Sequence, residues 1–193
     1  MIYTGNTVRE AVGKAINGDK QVSRAPDDCE EIINETVNIE RDLKQLANEV
    51  RQIENALRRN ERESIEAGVD VAEAIVSIVA PMAGRAIKGL RIIAAVRRAL
   101  KGGRSQQILQ ELRDLFDILS EIREGVEGIG ELSRMIPEWA ELRNRLSLAQ
   151  LALDQAARRA TALQDRYLRS RCYRHHLQRE LNQSTRGDGF LGV

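Results

Sequence analysis

Apolar residues recur along three long segments of the chain, at alternating steps of four and three positions. The first seam consists of Ile32, Thr36, Ile39, Leu43, Leu46, Val50, Ile53 and Leu57. The second seam consists of Ile108, Leu112, Leu115, Leu119, Ile122, Val126 and Ile129. The third seam consists of Leu142, Leu146, Ala149, Leu153, Ala156, Ala160, Leu163 and Tyr167, followed by Leu177 and Leu181. This heptad spacing is typical of helices that pack side by side, so each segment is predicted to be a long helix.

Proline and glycine residues predict where these helices begin and end. Pro26 suits the first turn of the first long helix, which is predicted to bend near Gly68 and to end at Pro81. Short connections at 81–84 and 102–104 favour antiparallel neighbours, and no segment shows the alternation of a β-strand. The predicted fold is therefore all-α: an elongated antiparallel helical bundle or coiled coil of about four to five helices, with an apolar helical hairpin at one end.

Three regions follow from this division. Residues 1–24 are predicted to form a short N-terminal helix and a linker, because "TVRE" at Thr7 matches a capping box. Residues 25–182 form the single bundle, with the central apolar hairpin at 67–101. Residues 183–193 are predicted to be a flexible tail.

Composition supports this interpretation and narrows the classes of function. Charged residues make up 31% of the chain and aromatic residues 3%, which suits long helices with narrow seams better than a thick globular core. The net charge of +1 gives no overall attraction to nucleic acid. The chain begins without the pattern of a secretory signal, which predicts a cytoplasmic protein at synthesis. Export without a signal, or packaging into a particle, remains an open alternative.

The segment around "IVSIVAPMAGRAIKGLRIIAAV" is apolar over about half of its helical circumference, more than a two-helix seam requires. Its longest uncharged run has eleven residues, whereas a membrane-spanning helix needs about 20. Three destinations stay open for it: a small core, an oligomer interface, or a hairpin lying in a membrane surface. The residues predicted to contact a partner chain or membrane are Val71, Ile75, Ile78, Val79, Ile92, Ile93, Val96 and Leu100.

Charge is sorted along the chain. Basic residues dominate 85–104 and 158–179, and acidic residues dominate 111–131. The favoured interpretation places the acidic helix beside the two basic ones, and the alternative leaves a basic face exposed for phosphate. The basic face is predicted to comprise Arg91, Arg97, Arg98, Lys101, Arg158, Arg159, Arg166 and Arg169.

Few residues suggest chemistry. In "CYRHH", Cys172 and His176 are four positions apart and could hold a metal together, but zinc needs four ligands, or three and water. A basic helix end is the preferred interpretation, and no metal or cofactor is predicted. Because no secretory signal is present, a disulfide between Cys172 and Cys29 is not expected. "GVEGIGE" lacks the lysine of a phosphate loop, and no catalytic set can be assembled, so the chain is predicted not to be an enzyme.

The sequence thus predicts a non-enzymatic coiled-coil assembly or interaction protein, which binds copies of itself or another helical protein. One alternative is a membrane-active protein that inserts 67–101 into an anionic membrane. Long helices with an apolar hairpin at one end resemble, in helix pattern only, the α-helical pore-forming toxins of the cytolysin A type and small phage ejection proteins. The remaining alternative, a nucleic-acid-associated structural protein, is the least favoured.

Overall fold

The structure is a computed structural model, and it describes residues 27–64, 69–136 and 139–187. These residues form five helices: α1 (Asp27–Ser64), α2 (Val69–Gly102), α3 (Ser105–Ser133), α4 (Ala140–Arg169) and α5 (Arg171–Gly187). The described ranges contain no β-strand, so the prediction of an all-helical fold is confirmed. The helix predicted within 1–24 and the bend at Gly68 lie outside the described residues. Of the tail predicted for 183–193, residues 183–187 belong to helix α5 and the rest lies outside the described residues.

The four long helices form a bundle in which α1 and α3 each pack against both α2 and α4. Helices α1 and α4 are antiparallel, because Arg166 pairs with Glu31 at one end while Arg59 pairs with Glu141 at the other. The short helix α5 packs against α1, α3 and α4. It lies at the end of the bundle where α1 begins and α4 ends.

The predicted seams account for most of the core. Every seam residue from Ile32 to Leu57, from Ile108 to Ile129 and from Leu142 to Tyr167 is buried. Leu177 and Leu181 are instead exposed, so the prediction that the third seam continues past Tyr167 is wrong. The helix breaks before α5, and the register of the seam does not carry across the break.

The prediction that Pro81 ends a helix is also wrong. Helix α2 continues through Pro81, so 67–101 is not a hairpin with its tip at this proline. Proline removes one backbone hydrogen bond and strains the helix. Pro81 and Ser77 both face solvent, where water can satisfy the carbonyl left unpaired at Ser77, while Ile75 and Met82 on the opposite face stay buried. Packing along the buried face therefore holds the helix together across the proline.

Candidate functional site

The start of α5 is positioned by hydrogen bonds from both sides of a one-residue break at Ser170. Ser170 has an extended backbone (ψ 159°), and its hydroxyl donates to the Tyr167 carbonyl at 2.6 Å. The same hydroxyl accepts from the Tyr173 N–H at 3.0 Å, which is an N-cap bond for α5. The Arg171 N–H donates to Asp28 Oδ2 at 2.7 Å. Helix α1 thereby supplies a second cap, and the first turns of α1 and α5 are held together.

The two cysteines of the chain lie at this junction and form a disulfide. The Cα atoms of Cys29 and Cys172 are 5.0 Å apart, and both side chains are buried. The expectation that they would stay unpaired is therefore wrong. Antiparallel packing of α1 against α4 brings the first turn of α1 to the end of α4, so residues separated by 143 positions become neighbours.

His176 lies one helical turn after Cys172 and packs against the same disulfide. Its Nε2 atom is 3.5 Å from Cys172 Sγ and 3.9 Å from Cys29 Sγ. Its Nδ1 atom is 3.1 Å from the hydroxyl oxygen of Tyr167, a fully buried residue. We call Cys29, Cys172 and His176 the Cys–His cluster.

Burial sets the protonation states around this cluster. Desolvation, and then electrostatic interaction with His175 and Arg179, lowers the pKa of His176 below its usual value, against the opposing effect of Glu180. Desolvation raises the pKa of Tyr167 well above its usual range. The imidazole and the phenol are therefore both neutral near pH 7, and either can donate the hydrogen bond that joins them.

The turn between α2 and α3 closes the cluster from the other side. Gly103 has a φ of +70°, a conformation that residues with a side chain rarely adopt. A Cβ atom at Gly103 would lie 3.3 Å from His176 Cδ2. Ser105, just after the turn, donates a hydrogen bond to Glu180 of α5. The cluster is thus enclosed by α1, α5, the end of α4 and this turn.

Chemically, this arrangement offers two sulfur atoms and one imidazole nitrogen, all within 4.8 Å of one another. The spacing of Cys172 and His176 is visible in the sequence, and the missing third group is Cys29. A bundle with α1 antiparallel to α4 places Cys29 there, but the sequence leaves the order of neighbouring helices open. The packing, rather than any motif, assembles this site.

The eight residues predicted to contact a partner chain or a membrane pack inside the chain instead. Six of them are buried: Ile75, Val79, Ile92, Ile93, Val96 and Leu100. Val71 and Ile78 are partly buried and pack against the same core. The wide apolar face of α2 is buried because α2 contacts both α1 and α3. A helix with two neighbours needs more buried positions than a two-helix seam provides.

The predicted basic face is divided between paired and exposed residues. Arg97 pairs with Glu40, Arg159 with Asp42, and Arg166 with Glu31, so the acidic partners of these three lie on α1. The acidic helix α3 lies beside both α2 and α4, as the favoured interpretation placed it. It contributes Glu121 to Arg85 of α2, while several of its other carboxylates are exposed. The remaining members are exposed: Arg91, Arg98, Lys101, Arg158 and Arg169.

Two further observations concern surfaces and membranes. A hollow of about 420 Å³ opens between α3 and α4, lined by Glu127, Arg134, Ser147 and Gln150 among others. Among the described helices, none has a stretch both long enough and apolar enough to cross a bilayer.

No protein-family model matches the sequence, and searches of curated proteins and of solved structures return no match.

Proposed function

We propose that this chain is a non-enzymatic helical-bundle protein that associates with a second copy of itself through the outer face of α4. We also propose that the bundle is elongated and coiled-coil-like, because α1 is about 57 Å long at ~1.5 Å per residue. We place the contact on α4 because most of the residues that the sequence predicted to contact a partner are buried in the bundle.

The supporting observation is a strip of α4 without charge in a chain that is 31% charged. We call this surface the neutral strip. It consists of the exposed residues Asn144, Ser147, Leu148, Leu151 and Gln155. Leu148 and Leu151 are 38% and 51% exposed and lie three residues apart on the same helical face.

The charged residues that flank the neutral strip form ion pairs with residues of neighbouring helices. On one side Arg145 pairs with Glu49 of α1 at 3.3 Å, and on the other Asp154 pairs with Arg123 of α3 at 3.1 Å. The strip between these pairs carries no charge and has two leucines at its centre. Such a surface has no charge to attract a charged partner, but it can meet an identical surface without repulsion.

A second copy fits this surface best because two-fold dimers use the same patch on both subunits. The neutral strip covers about 17 Å of α4, from Asn144 to Gln155 at ~1.5 Å per residue. Two such strips packed together would bury an area below the standard size for specific interfaces. We therefore expect a dimer that dissociates on dilution.

Mass in solution tests the proposal. Light scattering across a concentration series should give two chains per particle at high concentration and one on dilution. Combined Leu148→Asp and Leu151→Asp substitutions place charges at the centre of the contact and should leave one chain at all concentrations. Both sites are exposed, so helicity by circular dichroism should not change.

The matched control is Val76→Asp, because Val76 is 45% exposed on α2 and is not part of the neutral strip. This variant should dimerise like the unmodified protein. A mass of one chain throughout the series, or a dimer unaffected by both leucine substitutions, would contradict the proposal.

Membrane activity, the second function considered from the sequence, would require the bundle to open, because the apolar face of α2 is buried. The exposed Arg91, Arg98 and Lys101 are the feature that favours contact with anionic lipid. Flotation with anionic vesicles distinguishes the two functions: the dimer proposal expects the protein to stay with the aqueous fraction.

A further inference from the structure

The Cys–His cluster contains a functional group that a structural disulfide does not require. A disulfide needs two sulfur atoms, yet a buried imidazole lies against this one, with Nε2 directed at both sulfurs at 3.5 and 3.9 Å. His176 is 2% exposed, and its Nδ1 atom is hydrogen-bonded to the Tyr167 hydroxyl. Burying and orienting a histidine in this way is characteristic of metal ligands.

We propose that the reduced Cys–His cluster binds Zn²⁺ through Cys29 Sγ, Cys172 Sγ and His176 Nε2, so that these residues alternate between a disulfide and a metal site. The inference is independent of the dimer proposed above, since the neutral strip contains none of these residues. Two thiolates and one imidazole form a donor set that favours zinc among the divalent metals common in cells.

The observed distances suit this metal. With ~2.3 Å Zn–S bonds and ~2.0 Å Zn–N bonds, a tetrahedral site separates a sulfur and a nitrogen ligand by about 3.5 Å. The two sulfur-to-Nε2 distances of 3.5 and 3.9 Å already lie close to this value. Only the sulfurs must separate, to about 3.8 Å in the same geometry. Side-chain rotation of the cysteines can supply that movement.

Tyr167 accommodates the tautomer that the site needs, because its hydroxyl can accept as well as donate a hydrogen bond. When Nε2 binds a metal, Nδ1 carries the proton and donates it in a hydrogen bond. The Tyr167 oxygen lies 3.1 Å from Nδ1 and can accept this bond. Among the described residues, no further histidine or carboxylate lies close enough to act as a fourth ligand. Water would complete the tetrahedron, as in zinc sites with three protein ligands.

The conversion balances as a two-electron exchange. A dithiol reductant transfers two electrons and two protons to the Cys29–Cys172 disulfide, which gives two protein thiols and one oxidised dithiol. Zinc then displaces the two thiol protons and binds both thiolates. A small-molecule disulfide re-forms the Cys29–Cys172 bond by thiol–disulfide exchange: it accepts the two electrons, takes up two protons to leave as two thiols, and Zn²⁺ is released. Both end states join the start of α1 to the start of α5, whereas the reduced, metal-free state lacks this link.

Metal titration of the full-length chain without an affinity tag tests the inference. The disulfide is reduced with a water-soluble phosphine, which takes oxygen from water to form the phosphine oxide, and the reagent is removed under anaerobic conditions. Titration with Co²⁺ should then give one equivalent per chain, with the charge-transfer absorption of thiolate ligands. Zn²⁺ should displace Co²⁺, and the disulfide form should bind neither.

Variants separate this site from adventitious thiol binding. His176→Gln should weaken metal binding at least tenfold, and Tyr167→Phe should weaken it about 10- to 100-fold through the lost hydrogen bond. Gln178→Ala is the matched control, because Gln178 is an exposed, uncharged residue of the same helix, and it should leave the affinity unchanged.

Two results would overturn the inference. One is the absence of stoichiometric binding when thiol titration verifies that both cysteines are reduced. The other is an affinity that His176→Gln does not change, which would indicate a pair of thiols acting alone. If the reduced chain loses helicity, Zn²⁺ should restore it, and failure to restore it counts with the first result.

Discussion

The guanidinium of Arg159 on α4 lies 2.9 Å from the carboxylate of Asp42 on α1 (Nε to Oδ2), and the Asp42 side chain is only 6% exposed. Arg159 also donates a hydrogen bond from Nη1 to Glu35 Oε1 at 3.1 Å. Asp42 is not part of the apolar seam of α1, yet it is buried because α1 also packs against α4. The pair is asymmetric, since Arg159 is 38% exposed and can reach water when its partner is removed.

This asymmetry predicts which half of the pair matters more. Arg159→Met should lower the free energy of unfolding by about 2–4 kcal/mol, because it leaves Asp42 charged and buried without a cation. Asp42→Asn should cost about 1 kcal/mol, because Arg159 keeps Glu35 and solvent. Urea unfolding monitored by circular dichroism measures both values.

The double variant Arg159→Met with Asp42→Leu should be more stable than Arg159→Met alone, because no unpaired charge remains buried. Arg158→Met, at the exposed neighbouring position, should stay within about 0.5 kcal/mol of the unmodified chain. Equal effects of Arg158→Met and Arg159→Met would contradict the ion-pair interpretation.

The disulfide should contribute strongly to stability, because it closes a loop between residues 143 positions apart. In the loop-entropy account, a link of this length removes freedom from the unfolded chain, and native disulfides are typically worth about 2–5 kcal/mol. Reduction in the absence of metal should therefore lower the unfolding midpoint. In the Cys29→Ser and Cys172→Ser double variant, the reducing agent should have no effect, and a shift there would point to another cause.

Two glycines should respond in opposite directions to alanine. Gly84 lies in the exposed face of α2, where an added Cβ would meet nothing within 4 Å, so Gly84→Ala should stabilise by about 0.5–1 kcal/mol through helix propensity. Gly103→Ala should destabilise by about 1–2 kcal/mol, since alanine is strained at a φ of +70°. Thermal unfolding of both variants checks this, and a stabilising Gly103→Ala would contradict the turn geometry.

Glu40 should make stability depend on pH in the acid range. A hydrogen bond from Lys44, and then the charges of Lys44 and Arg97, lower the pKa of Glu40 against the opposing effect of burial. A carboxyl with a lowered pKa stabilises the fold above its unfolded value of about 4.3, and this contribution disappears as the pH falls through the folded value.

The size of this contribution is limited because the pairs are partly exposed. Glu40→Gln should therefore cost at most about 1 kcal/mol near pH 7 and almost nothing at about pH 2.5. Glu124→Gln, at an exposed position of α3, provides a comparison. A larger cost for Glu40→Gln in acid than near neutrality would have the wrong sign.

The sequence alone identifies two of the three residues of the Cys–His cluster. Cys172 and His176 share a helical face by spacing alone, so the sequence identifies them as a pair. Cys29 joins them only because α1 is antiparallel to α4 and α5 is capped by Asp28. The capping role of Ser170 is local and recognisable after the fact, since serine at the start of a helix commonly binds the N–H three residues later.

The sequence by itself determined the helices and the faces that they bury, because a heptad pattern is written in residues a few positions apart. Its seam residues from Ile32 to Tyr167 are buried as the spacing predicts. Only the tertiary structure decided that α2 continues through Pro81, that α1 supplies the partners of Arg97, Arg159 and Arg166, and that the two cysteines meet at His176. Each of these outcomes depends on which helices become neighbours, and that choice depends on the packing of the whole bundle, which no local pattern records.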